Sequence, residues 1–267
     1  MARSRNRAWY EDNFGPDYLI IDIHEYTDLE VEFIRKVLKL KHGTRLLDIG
    51  CGYGRHLIPL LAHGVDVVGC DLSQFMLREA ARCIEERAKA HRRGRNYFIR
   101  WCAEGYKLVC SDNRTLPFRW VFDCACNMFN SFGYFDEEGD NYRMLVSIAE
   151  ALKPGGLFLI ELVNCDFMLR LNSRKEWYER DDAVILENKW FDPVRNRSEI
   201  DVTVIDKNGK RSYHHSIRLY SYTELVMLLE AAGFTVKAVF GGFKGENFDL
   251  NHDRMLIFAQ TLEREVE

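Results

Sequence analysis

The sequence predicts an α/β fold: an open, mainly parallel seven-stranded sheet with helices on both faces, plus a small antiparallel β insertion near its end. Three observations predict it. Short, continuously apolar runs alternate with helical patterns between residues 44 and 163, as strands buried on both faces require. Strict period-two alternation appears only afterwards, in RSEIDVTVID (197–206), where Ile200, Val202 and Val204 share one face and Glu199, Asp201 and Thr203 the other. A further helix and two strands then close the pattern.

The elements follow in order. Residues 17–40 read as helix, with Leu29, Val31, Phe33, Ile34, Val37 and Leu38 on its apolar face and Asp28 as a cap for its second part. TRLLDIG (44–50) is a strand, RHLIPLLAHG (55–64) a helix closed by Gly64, and VDVVGCD (65–71) a second strand. SQFMLREAARCIEERAKA (73–90) is a helix with Ser73 as N-cap. YKLVCSD (106–112) and WVFDCACNMF (120–129) are the third and fourth strands. The helix DNYRMLVSIAEAL (140–152) must stop at KPGG, and LFLIELV (157–163) is the fifth strand. DAVILENKWF (182–191), RSEIDVTVID and RSYHHSIRLY (211–220) form the insertion, with Asn208-Gly209 as a hairpin turn. The helix YTELVMLLEAAG (222–233) and the strands FTVKAVFGG (234–242) and RMLIFAQTL (254–262) follow.

Composition bounds the rest. The 267 residues are 47% hydrophobic and 13% aromatic, enough for a sizeable core, and the net charge of −4 announces neither a nucleic-acid nor a membrane partner. The eight cysteines include no CxxC pair and sit mostly in apolar runs, so they read as buried, reduced thiols; Cys124 and Cys126 share a strand face but have no second pair to complete a metal site. No apolar segment follows the charged N-terminus, and no stretch approaches ~20 apolar residues, so a cytoplasmic protein is expected. The basic run RAKAHRRGRNYFIR (87–100) reads as a solvated helix end and loop.

The chemistry centres on RLLDIGCGYGRHLIPLL (45–61), where three glycines follow an acid at the end of the first strand. Bare backbone there lets amides approach a ligand, and the helix that follows favours an anionic group. A P-loop needs Lys and a hydroxyl after the glycines, but Arg55-His56 stand there; a dinucleotide fingerprint needs a third glycine where Arg55 stands. Asp71 ends the second strand about 20 residues on, where a carboxylate can accept both hydroxyls of an adenosine ribose. Ser111-Asp112-Asn113 ends the third strand, where an acid can receive the adenine amine.

The pattern of Asp48, three glycines, Asp71 and Asp112 resembles class I S-adenosylmethionine-dependent methyltransferases. LLDIGCGYG is similar to that family's first motif, and LPF, FDCACNMFNSFGYF and LKPGG to its later segments. The resemblance implies a Rossmann-like sheet binding S-adenosylmethionine and releasing S-adenosylhomocysteine. It implies that Gly50, Cys51 and Gly52 meet the methionine part, with Asp48 on its amino group. Asp71 would bind the ribose, and Leu72 and Met76 would flank the adenine. Asp112 and Asn113 would meet the adenine amine, and Asn127 the sulfonium. It also implies three segments: a helical lid (1–40), the cofactor domain (41–165 and 221–267), and the antiparallel insertion (166–220) capping the acceptor site.

Asn127-Met128-Phe129-Asn130 lacks the prolines found in methyltransferases that act on base amines, and no RNA-binding module is appended. A small-molecule acceptor methylated on N or O is therefore expected. Tyr10, Tyr18, His24, Asn130, Tyr134, Glu161, Asn164, His214, His215 and Tyr220 are acceptor-side candidates. Tyr18, closing over the cofactor, and Tyr134, facing the acceptor, are preferred, with His24 as the third catalytic candidate. Two alternatives stand beside this reading: a nicotinamide-dependent oxidoreductase and a non-catalytic S-adenosylmethionine-binding protein. Oligomeric state is left open.

Overall fold

The computed structural model describes residues 10, 13–22, 24–90, 107–170 and 173–263. Seven strands form one sheet: β1 (Arg45–Ile49), β2 (Asp66–Asp71), β3 (Leu108–Cys110), β4 (Phe122–Asn127), β5 (Leu152–Val163), β10 (Phe234–Phe240) and β11 (Arg254–Thr261). They lie in the order β10-β11-β5-β4-β1-β2-β3, with β11 antiparallel to both its neighbours and the other pairings parallel. The chain runs outward from β1 through β2 to β3, then crosses back to β4 on the other side of β1. This reversal opens a crevice at the carboxyl ends of β1 and β4.

Side-chain alternation divides the core in two. Leu47 and Ile49 of β1 join Ala125, Phe158 and Ile160 under α5 (Glu138–Ala151) and α6 (Tyr222–Ala231). Leu46 joins Cys124, Cys126 and Leu159 under α2 (Thr27–Val37), α3 (Leu57–Ala62) and α4 (Gln74–Ala90). Asp48 belongs to the second face and is 2% exposed, so the sheet sinks a carboxylate beneath the glycine loop. Five of the seven described cysteines are buried and none is bonded, as small hydrophobes. Ser73 caps α4 through the Met76 amide, at 3.3 Å.

The expected helix over 17–40 is two pieces, α1 (Tyr18–Ile21) and α2, because the chain turns extended at Asp22. Asp28 lies within the first turn of α2 and does not cap it. KPGG ends α5 as expected, yet the backbone pairs at once: Leu152 opposes Phe122 and Leu157 opposes Cys124, so Pro154 and the glycines bulge out of β5.

A second sheet, of order β6-β7-β8-β9, is wholly antiparallel: β6 (Arg174–Arg180), β7 (Ala183–Asp192), β8 (Arg197–Asp206) and β9 (Gly209–Arg218). The sequence reading placed no strand of this insertion before residue 182 and so missed β6. RKEWYER carries no apolar alternation because it is an exposed edge strand, where charge discourages further pairing. Gly209 opens β9 opposite Asp206 at φ 109°, so Lys207-Asn208 form the hairpin loop. The inner face of this sheet (Ala183, Ile185, Val202, Val204) packs on Ile20 and Ile21 of α1. Asp17 fixes the same segment through Arg211 and Tyr213. Among the described residues no helix is long and apolar enough to cross a membrane. Residues 91–100 of the basic run lie outside the described residues.

Candidate active site

A cleft of about 1010 Å³, its open mouth included, lies where β1, β2 and β3 end, and the N-terminal segment with α1 forms its far wall. Its floor is the glycine loop. Gly50 sits at φ 69° and Gly52 at φ 53°, left-handed backbone that L side chains rarely adopt, and a Cβ on Gly50 would stand 2.9 Å from the Ser131 Cβ. The Gly50 and Cys51 amides are tied to the Cys70 carbonyl, 2.8 and 3.0 Å away. The Asp71 carboxylate accepts the Gly52 amide at 2.9 Å and the Ser73 amide at 2.8 Å. Each oxygen keeps a lone pair, so a preoriented carboxylate faces the cleft.

Two charged side chains in the floor each keep one atom without a partner among the described residues. Asp48 Oδ2 and Arg55 Nη2 are buried with no hydrogen-bond partner among the described residues, and both side chains line the cleft. Burial pushes the Asp48 carboxyl up, against the pull of His56 and Arg55. A buried carboxylate oxygen without a donor, near a buried guanidinium nitrogen without an acceptor, costs free energy until a ligand supplies both. An α-amino acid end group does so: its ammonium answers Asp48 and its carboxylate answers Arg55. S-adenosylmethionine has such an end, and a ribose for Asp71. The residues fit the group.

Arg55 is held in place from behind. Glu30, 3% exposed, pairs with Arg55 and with His56 Nε2, the latter at 2.7 Å. Desolvation opposes ionisation of Glu30, but His56 and Arg55 outweigh it and hold the carboxyl down at about 2. The Arg55 guanidinium also lies over the Phe129 ring, 5.1 Å from its centroid.

Most expected site residues meet in this cleft: Tyr18, His24, Asp48, Gly50, Cys51, Gly52, Asp71, Leu72, Met76, Asp112, Asn113 and Tyr134 all line it. Asp112 is less free than expected, since both its oxygens are held by the Arg114 guanidinium and one caps the short 3-10 turn Asn113–Thr115. Asn127 does not line the cleft. It is fully buried and donates its amide to the Ile49 carbonyl at 2.9 Å, bracing β1 against β4.

Several acceptor-side candidates are structural. Asn130 and Asn164 bond backbone, Glu161 pairs with Arg254, and Tyr220 donates to Glu138. His214 bridges Glu199 and Asp201 on the outer face of the second sheet, and His215 is buried on its inner face. Sequence reasoning missed Asp22, Tyr53, Phe14 and Phe129, which all line the cleft. Arg55 was used only to dismiss other loops, although a cation directly after three glycines was itself a signal. Burial pushes the hydroxyls of Tyr18, Tyr53 and Tyr134 up, so all three stay protonated donors.

This chain is similar to a glycine/sarcosine N-methyltransferase of Parasynechococcus marenigrum, 30% identical over 171 residues, covering 62% of this chain and 56% of that protein. The chain spans about half the length of the first curated relatives it matches. It is also 26% identical over 215 residues to the dTDP-3-amino-3,4,6-trideoxy-α-D-glucopyranose N,N-dimethyltransferase of Streptomyces venezuelae, covering 76% of this chain and 80% of that one. The solved CcbJ methyltransferase of Streptomyces caelestis shares the fold at TM-score 0.77, with 21% identity over 96% of this chain and 98% of that chain. A family model described as a methyltransferase domain matches residues 23–239. The chain belongs to that family, the S-adenosylmethionine-dependent methyltransferases.

Proposed function

We propose that this chain transfers a methyl group from S-adenosylmethionine to a nitrogen atom of a small-molecule acceptor. The observation that carries the reading is the pair of buried, oppositely charged atoms without partners among the described residues, Asp48 Oδ2 and Arg55 Nη2, in the floor of the cleft that the Asp71 carboxylate also lines. That arrangement suits an amino-acid end joined to a ribose, and it gives a nicotinamide dinucleotide no use for Asp48. The similar proteins named as N-methyltransferases support nitrogen over oxygen.

When bound, S-adenosylmethionine supplies an electrophilic methyl group on a positively charged sulfur. The protein's share is then alignment and exclusion of water. Asp71, Asp48 and Arg55 would fix the cofactor's length, and Leu72 and Met76 its base. Tyr18, Tyr134 and Phe14, whose rings pack edge-on with centroids 5.1 and 5.6 Å from Phe14, would close the lid. The second sheet, holding the lid from outside, would act as the cap.

Calorimetric titration with S-adenosylhomocysteine and with NADH tests the reading. Uptake of the first and not the second is expected; the reverse would remove it. Isotope transfer from methyl-labelled S-adenosylmethionine to an amine separates an enzyme from a protein that only binds.

A further inference from the structure

Once the groups that fit the cofactor are set aside, the cleft keeps a second polar cluster. Asp22 and His24, on the segment joining α1 to α2, form a pair with Nε2 and Oδ1 2.5 Å apart and side chains 6% and 7% exposed. Tyr18, Tyr53 and Tyr134 surround Asp22 closely enough that its charge, added to burial, helps hold their hydroxyls protonated. The His24 ring meets the Phe129 ring at 4.3 Å. Phe129 itself stands at φ 54°, a left-handed conformation that a bulky residue keeps only when restrained. The restraint is Glu161, which accepts the Phe129 amide at 2.7 Å and is paired with Arg254. Arg180 of β6 donates to the Asp22 carbonyl at 3.2 Å. Burial, strain and bracing therefore converge on a place that the cofactor does not explain.

Asp22 is the carboxylate at the centre of this cluster. Arg55 is the one Arg or Lys among the described residues lining the cleft, and it is committed to Glu30 and to the cofactor's carboxylate. An acceptor carrying its own carboxylate beside the amine would bury that charge against Asp22 with no further Arg or Lys among the described cleft residues to receive it.

Resting on the methyl-transfer reading, we propose that the Asp22–His24 pair and its tyrosine hydroxyls form the acceptor's ammonium site, and that the acceptor is an amine with no carboxylate on the adjoining carbon. The ammonium docks on Asp22 and gives its proton to the pair. The freed nitrogen lone pair then forms the N–C bond as the C–S bond breaks, and those electrons stay on sulfur.

Sinefungin provides a test that needs no acceptor. It carries a primary ammonium where the transferable methyl would stand, whereas S-adenosylhomocysteine carries nothing there. Calorimetry on the wild-type protein is expected to show sinefungin binding at least about tenfold more tightly. Asp22→Asn, and separately His24→Gln, should bring the two ligands within about threefold while leaving S-adenosylhomocysteine affinity within about threefold of wild type. An unchanged preference in both variants would overturn the site, and so would methylation of glycine or sarcosine at the rate of an amino sugar. Failure of both ligands to bind wild-type protein would instead overturn the cofactor reading, and the ammonium site with it.

Discussion

The floor and the roof of the cleft are built in different ways. The floor comes from residues 48–76, a stretch in which most groups are placed by their neighbours, a strand end, three glycines, a helix start and a second strand end, with Glu30 bracing Arg55 from outside it. The roof joins the segment carrying Phe14, Tyr18, Asp22 and His24 to residues between 158 and 201 positions away. Asn13 donates to the His214 carbonyl, Asp17 pairs with Arg211 and bonds Tyr213, and Arg180 reaches the Asp22 carbonyl. The floor is a local motif that tolerates change elsewhere. The roof is a long-range assembly whose geometry depends on the second sheet.

The largest expected effect is on the floor. Asp71→Ala removes a carboxylate that accepts two backbone amides and has lone pairs left for two ribose hydroxyls. With charge-assisted hydrogen bonds each contributing about 1.5–3 kcal/mol, S-adenosylhomocysteine affinity should fall about a thousandfold, read by calorimetry. A loss under about fivefold would mean that the ribose lies elsewhere.

That asymmetry also explains what was legible beforehand. The seven strands of the main sheet and the glycine loop could be read from the sequence because period and spacing are local. Asn127 was misjudged for the converse reason. Its place at the end of β4 was right, but whether its amide turns to the cleft or to the Ile49 carbonyl is decided by β1, almost eighty residues earlier. Asp22 and Phe129 gave no signal. One sits in a break in what looked like continuous helix, and the other owes its conformation to Glu161 on the neighbouring strand. β6 was invisible because an edge strand has no buried face to pattern.

Floor and roof should also part under acid. His215 lies against the lid, its ring 6.3 Å from Phe14, and burial, then His214, pull its imidazole down to about 4 from 6.5. A buried neutral histidine binds a proton more readily when unfolded. Its contribution is therefore whole above pH 6.5 and is lost as pH falls toward 4. The loss is about 3 kcal/mol. Glu30, beneath the floor, is depressed from 4.5 to about 2. Its contribution is whole above pH 4.5 and is lost only as pH falls toward 2, about 2 kcal/mol after solvent screening. Urea unfolding of His215→Gln should flatten the stability curve between pH 6.5 and 4, and Glu30→Gln below 4.5. If both variants flatten the same window, floor and roof do not titrate separately.

The smallest effect expected is on the outer face of the second sheet, away from the lid. Trp177 of β6 opposes Leu186 of β7, and the two are 67% and 40% exposed. A cross-strand pair of this kind contributes about 0.2–1 kcal/mol, so Trp177→Thr should lower unfolding free energy by about 0.5 kcal/mol and leave S-adenosylhomocysteine affinity unchanged. The restraint on the lid comes from the inner face of the sheet and from Arg180, neither of which this substitution touches. A loss above about 2 kcal/mol exceeds what an exposed side chain can contribute. It would mean that this face is covered in solution, and that the roof is held from outside as well as from within.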